Sequence, residues 1–343
     1  MRQIAKMNKA SLRGARVVVT GGTGYIGSIL VRLLLKGGAQ VTVIDSLLYG
    51  QGSIEPLLDT GLVQIIRADV RSDFDIMVSA CRGAVAVVHL AAIVGDPACS
   101  LDEHLAWTTN YWGTRAVHEV AVHASVPVAI LASTCSVYGA QEHLLTEDSP
   151  VKPLSVYSES KVAAERVFSL PGSGHTKCVT LRFGTLFGTS ARHRFDLVVN
   201  RLTAMAVRDD RITVFGPQQW RPFVHVKDAA RAIVSVIESR FGLSQRTLFN
   251  IVGPTPNWTL SAMAELIQTE IPSAQLIYSD KGVDIRNYCV SDNRVQCEIG
   301  FRPTHQLHHG ITEVATAVRG GGLNYMNPRF SNVESLAMKS GIY

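Results

Sequence analysis

The six cysteines of this 343-residue chain (Cys81, Cys99, Cys135, Cys178, Cys289 and Cys297) lie far apart, with no CxxC pair. That spacing argues against a metal site, and in a chain of this size it suggests no disulfide framework. The setting it implies is a reducing cytoplasm. No apolar run approaches the roughly 20 residues of a membrane span, and Met1–Leu12 is basic and polar where a signal peptide is apolar. Residues 1–13 read as a leader without chemistry, within which Met7 offers an alternative start. Net charge is +5, yet no run of five basic residues occurs. Nucleic acid calls for a clustered basic stripe, so the excess suits an anionic small molecule instead. Internal repeats and low-complexity tracts are absent too, which excludes solenoids and disordered arrays.

What is present is ordinary globular material, 46% hydrophobic and 18% charged. Short β-branched runs at Ala15–Thr20, Gln40–Ile44, Val63–Arg67, Ala84–Leu90, Val126–Ser133 and Cys178–Phe183 alternate with helical patterns. The helical patterns cover Tyr25–Lys36, Phe74–Ala80, Thr109–Ala124 and Tyr157–Leu170. Strands of nearly continuous apolar character between helices imply a parallel sheet covered on both faces. After Gly188 the regularity gives way to loops, short strands and helices, with one more strand at Thr247–Val252. The expected architecture is a doubly wound α/β domain over 14–188, rejoined by 220–252. A smaller C-terminal α/β substrate-binding region takes 189–219 and 253–343.

The first run leads through Thr20-Gly21-Gly22-Thr23-Gly24-Tyr25-Ile26-Gly27 into a helix. Glycines in such a turn let the backbone approach a pyrophosphate, which amide donors at the helix N-terminus then meet. Asp45 follows at the end of the next strand, 18 residues past Gly27. A carboxylate there accepts ribose hydroxyls and repels a 2′-phosphate, so NAD is favoured over NADP. The bland alternative makes Asp45 a turn residue. The GxxGxxG spacing resembles that of the short-chain dehydrogenase/reductase superfamily. Further residues fit in order: Asp69 and Val70 after the third strand, Leu90, Ala91 and Ala92 after the fourth, and Asn110 in the following helix. The resemblance implies that Gly21, Gly24, Tyr25, Ile26 and Gly27 hold the cofactor phosphates. It also implies an adenine contact at Asp69, small residues under the cofactor at 90–92, and a family asparagine at 110.

Tyr157 and Lys161 lie four residues apart, on one face of a helix. A free phenol, with pKa about 10, is a poor base at neutral pH. A neighbouring ammonium and a cationic nicotinamide favour the phenolate, so Tyr157 can take a hydroxyl proton as hydride leaves the same carbon. Lys161 also suits the nicotinamide ribose. The turn Ser133-Thr134-Cys135-Ser136-Val137-Tyr138-Gly139 resembles the family's hydroxyl-rich turn, with Thr134 as the catalytic hydroxyl and Ser133 and Ser136 as runners-up. Nucleotide-sugar 4,6-dehydratases carry an acidic pair directly after this threonine. Here Cys135 and Ser136 stand there, which disfavours elimination of water. Cys135 reads as a small buried residue, with proton donation as the alternative.

Trp220-Arg221-Pro222-Phe223-Val224-His225-Val226-Lys227-Asp228 resembles the substrate segment of the extended branch, as does Asp284-Ile285-Arg286-Asn287-Tyr288. The resemblance places Arg221 and Arg286 on a nucleotide diphosphate, where bidentate, charge-assisted bonds make physical sense. Thr185 replaces the asparagine usual in sugar-nucleotide epimerases, with Asn200 as a substitute. Arg192-His193-Arg194 lies either beside phosphates or in solvent, and Asp96 either reaches the sugar or caps a turn. The family likeness spans about Arg16 to Pro303. It implies an NAD-dependent nucleotide-sugar epimerase acting at C4, and a homodimer. A one-way dehydrogenase or 4-ketoreductase, and a non-catalytic NAD-binding protein, are the competing expectations.

Overall fold

β-Branched runs that are apolar on both faces assemble here into one parallel sheet, as such runs must when helices cover each side. The computed structural model describes residues 10–339 apart from 171–174, 244–245, 256, 280–283, 285 and 322; residues 1–9 of the expected leader, and Ile285, lie outside the described residues. Seven strands pair in the order Arg246–Ile251, Lys177–Phe183, Val128–Thr134, Ala86–His89, Arg16–Thr20, Gln40–Asp45, Val63–Arg67. Alternate residues feed opposite cores. Val17 and Val19 pack with Leu30, Leu34, Ile233 and Ile237 on one face. Val18 packs with Met77, Val120, Ala164 and Phe168 on the other. Helices Gly27–Lys36 and Val226–Glu238 supply the first face, and Phe74–Cys81, Gly113–His123 and Val156–Phe168 the second.

From the strand Arg16–Thr20 the chain builds outward to Val63–Arg67, then crosses back to the central strand Ala86–His89. A crevice therefore opens where Arg16–Thr20 and Ala86–His89 end, the switch point at which doubly wound sheets bind ligands. The smaller region caps that crevice. Its strand Trp220–His225 pairs with Thr185–Phe187 in parallel and with Asn257–Thr259 in antiparallel fashion. Phe187, Val199, Phe223, Met263 and Ile311 form its own core. No helix among the described residues is long and apolar enough to cross a membrane, and no cluster of metal-ligating side chains occurs among them.

Candidate active site

The turn after the first strand is shaped by close backbone approach. Gly21 has φ of +71°, and a Cβ on it would lie 2.6 Å from Ala91 N. A Cβ on Gly27 would meet the Gly21 carbonyl oxygen at 2.5 Å. Only glycine fits both, so the turn stays flat against the 90–92 segment and the helix N-terminus faces the crevice. The crevice is a cavity of about 500 Å³. Gly21, Gly24, Tyr25, Ile26, Gly27, Asp45, Asp69, Val70, Leu90, Ala91, Ala92, Thr134, Tyr157, Lys161, Thr185 and Arg286 all line it.

Asp45 is 8% exposed. Its Oδ2 accepts from the Thr23 amide at 3.1 Å and the Thr23 hydroxyl at 2.8 Å, while Oδ1 accepts from Leu47 N at 2.9 Å. Oδ2 is thereby filled, and the remaining acceptor capacity sits on Oδ1. Asp69 is held by Arg71, which pulls its pKa below the usual range. The lining carries seven cationic side chains against two carboxylates, among them Arg67, Arg192, Arg194 and Lys339. Such a field favours anionic ligands.

Thr134 ends the strand Val128–Thr134, and its hydroxyl accepts from Ser136 N at 3.1 Å. Tyr157 opens a helix capped by Ser155 and Ser158. Burial pushes the Tyr157 phenol up, while the hydrogen bond to Thr134 pulls it down. Lys161 Nζ donates to the Ala132 carbonyl at 3.0 Å, and burial lowers its pKa to about 8. Behind the turn, Glu165 accepts from Ser133 at 2.5 Å and from Arg182 at 2.9 and 2.6 Å. Arg182 in turn donates to the Tyr138 hydroxyl at 2.8 Å, which bonds Asn250. Ser133 is thus committed to Glu165. Cys135 is fully buried, off the cavity, with its Sγ donating to the Arg182 carbonyl at 3.3 Å. Burial raises that thiol far above its ordinary range. Under the 90–92 segment, His89 bridges Thr20 and Thr114 at 2.7 and 3.0 Å, its pKa driven down to about 3 by burial.

Four expected contacts lie off the cavity lining. Asn110 is fully buried, with its amide accepting from Ile93 N and donating to Ile93 O and Ser160. It braces the loop at Ile93. Asn200 uses its amide on Gly188 N, Arg194 O and Tyr25 Oη, at 2.9, 2.9 and 3.2 Å. Arg221 donates to the carbonyls of Trp220 and Arg286 and pairs with Asp284 at 3.3 Å, so it holds the backbone of Arg286. Asp96 bonds Ser155 at 2.6 Å and Arg286 at 2.8 Å. In each case a nearer protein partner satisfies the polar group. Sequence reasoning passed over Thr23, Leu47–Tyr49, Asn332 and Lys339, which also line the cavity. The last two lie far beyond the final motif and carry no local signal.

The model of the NAD dependent epimerase/dehydratase family matches residues 17–252. The chain is 30% identical over 316 residues to a dTDP-glucose 4,6-dehydratase of Streptomyces griseus, covering 86% of this chain and 91% of that one. It is 25% identical over 322 residues to a UDP-glucose 4-epimerase of Lactobacillus helveticus, covering 85% and 93%. Among solved structures, MoeE5 in complex with UDP-glucuronic acid and NAD superposes with a TM-score of 0.78 at 27% identity, covering 90% of this chain and 100% of that one. The turn, the acid that follows it and the match over 17–252 agree: the chain belongs to the NAD-dependent epimerase/dehydratase family, with NAD as its cofactor.

Proposed function

We propose that the protein epimerises a nucleotide-sugar at C4 through a transient 4-keto sugar. The observation that carries this reading is the meeting of Thr134, Tyr157 and Lys161 in the cavity that the Gly21–Gly27 turn and Asp45 also line. NAD, when bound, supplies the oxidant for the sugar carbon and, once reduced, the reductant for the return. Tyr157 takes the C4 hydroxyl proton and gives it back, with Thr134 bonding the same oxygen. Burial keeps the phenol protonated in the unliganded protein. A cationic ring placed beside it favours the phenolate, so proton transfer waits for the cofactor. Lys161 keeps most of its charge at pH 7 and lies on the same helix face.

A 4,6-dehydratase must also protonate and expel a hydroxyl. Directly after Thr134 this chain offers a thiol buried away from the cavity and a serine, neither of them a carboxylic acid. That favours epimerisation, although a relative of similar length is a dehydratase. Arg286 is the diphosphate contact in this reading, and Arg221 positions it. A panel of nucleotide-sugars, followed for C4 stereochemistry and free NADH, tests the proposal. Inversion without accumulating NADH is expected. Stoichiometric NADH release would instead mark a one-way dehydrogenase, and a 6-deoxy product a dehydratase.

A further inference from the structure

The cavity has a polar end that the reaction above does not use. Arg192 lines it and is 7% exposed, with its guanidinium carbon 4.2 Å from the centre of the Tyr49 ring. Its Nε and Nη2 are buried and have no hydrogen-bond partner among the described residues. The Tyr49 hydroxyl and Asn332 Oδ1 are also buried without one, and Asn332 is 2% exposed. The neighbouring carboxylate, Asp196, is gripped by Arg194 through two bonds of 3.0 and 2.6 Å. Burial and the adjacent Arg194 lower the Arg192 pKa to about 10, which leaves it charged at neutral pH. A buried charge with unmatched donors is costly to keep without a partner. Nε and Nη2 form one edge of the guanidinium, spaced to meet two oxygens of a single carboxylate or phosphate.

The C-terminal helix Asn332–Lys339 closes this end. Leu336 packs among Ile93, Ala98, Cys99 and Ala106. Asn332 Nδ2 donates to Val94 O at 3.3 Å, and its backbone N–H donates to Asp196 Oδ2 at 3.3 Å. Lys339 Nζ reaches Leu47 O at 3.5 Å. The helix thus ties together three loops around the cavity and adds two side chains to its lining.

We propose that Arg192, stacked on Tyr49 and closed over by Asn332, is an anion receptor that grips two oxygens on one atom of a bound ligand. It lies beside the Gly21–Gly27 turn, whose Tyr25 carbonyl accepts from Ser190 at 2.7 Å, and shares one cavity with Arg286. The inference rests on the reading that this cavity takes NAD and a nucleotide-sugar. Two sources carry the required chemistry: the cofactor's pyrophosphate, and a diphosphate or carboxylate of the substrate.

Calorimetric titration of wild type, Arg192→Gln and Asn332→Ala with NAD, UDP-glucose and UDP-glucuronic acid separates them, alongside melting of the ligand-free proteins. Ligand-free Arg192→Gln should melt close to wild type or above it, since no protein hydrogen bond at Nε or Nη2 is lost. At least one ligand should bind roughly tenfold to a hundredfold more weakly, with a smaller loss in Asn332→Ala. Weakened NAD assigns the receptor to the cofactor. Equal weakening of both nucleotide-sugars assigns it to their diphosphate, and weakening of UDP-glucuronic acid alone to the carboxylate. Unchanged binding of all three ligands overturns the inference, as does a ligand-free variant melting far below wild type. Wild type binding none of them overturns the underlying functional reading as well.

Discussion

Lys161, a catalytic residue in the proposed function, is held at a cost in stability. It is 4% exposed, and burial brings its pKa from 10.5 to about 8. The folded value lies below the unfolded one, so between about pH 8 and 10.5 the unfolded chain binds more protons. Stability should therefore rise with pH through that window and be lowest, on this account, below pH 8. The shift corresponds to about 3 kcal/mol. Lys161→Met removes that cost and loses a charge-assisted hydrogen bond of about 2 kcal/mol to Ala132. The variant should be more stable at pH 7 by about 1 kcal/mol and have almost no turnover. Denaturant melts at pH 7 and pH 10 check this: a variant less stable at both values would show that the ammonium is a structural support. Tyr157, Lys161 and Asp45 were legible because spacing along a helix or at a strand end fixes where a side chain points. Asn110, Asn200 and Arg221 were not, because a motif gives a position in the chain and not the partner that claims an amide or a guanidinium. Those partners, at Ile93, Gly188 and Arg286, lie 17, 12 and 65 residues away along the chain, outside the motifs themselves.

Among elements, the apolar runs gave strand positions to within about two residues, and Val63–Arg67 coincides. Both faces of each strand are buried, so the signal is continuous and its ends are cut by glycine and polar turns. Thr109–Ala124 is less regular than its pattern suggests: a widened turn at Thr108–Trp112 precedes the helix Gly113–His123. The buried Asn110 sits in that turn. The C-terminal helix at 332–339 was invisible, since only long-range packing of Leu336 marks it. The helix Val156–Phe168 is joined to the strands Val128–Thr134 and Lys177–Phe183 by Glu165, Ser133 and Arg182. Glu165→Ala should leave the buried Arg182, 5% exposed, without its carboxylate partner and cost about 3–5 kcal/mol. Turnover should fall as well, because the link holds the turn that carries Thr134. Thermal melts decide this, and a loss below about 1 kcal/mol would contradict the role given to Glu165.

On the scale of the whole molecule, the sheet order brings Thr20, Asp45, His89 and Thr134 to strand ends around one crevice, and the smaller region closes over it. The alternation of strands and helices made that architecture readable. How Arg192, Asn332 and Lys339 converge on the crevice depends on packing between segments more than a hundred residues apart. The central claim is that one carbon is oxidised and reduced again within this cavity, with Tyr157 moving the proton. The most direct test is a nucleotide-sugar deuterated at C4, incubated with the holoenzyme and, in parallel, with Tyr157→Phe. The account predicts an epimer that keeps its deuterium at C4, with turnover in the variant lower by roughly 10²–10⁴. Deuterium found in free NADH or at C6, or near-normal turnover in a folded Tyr157→Phe, would contradict it.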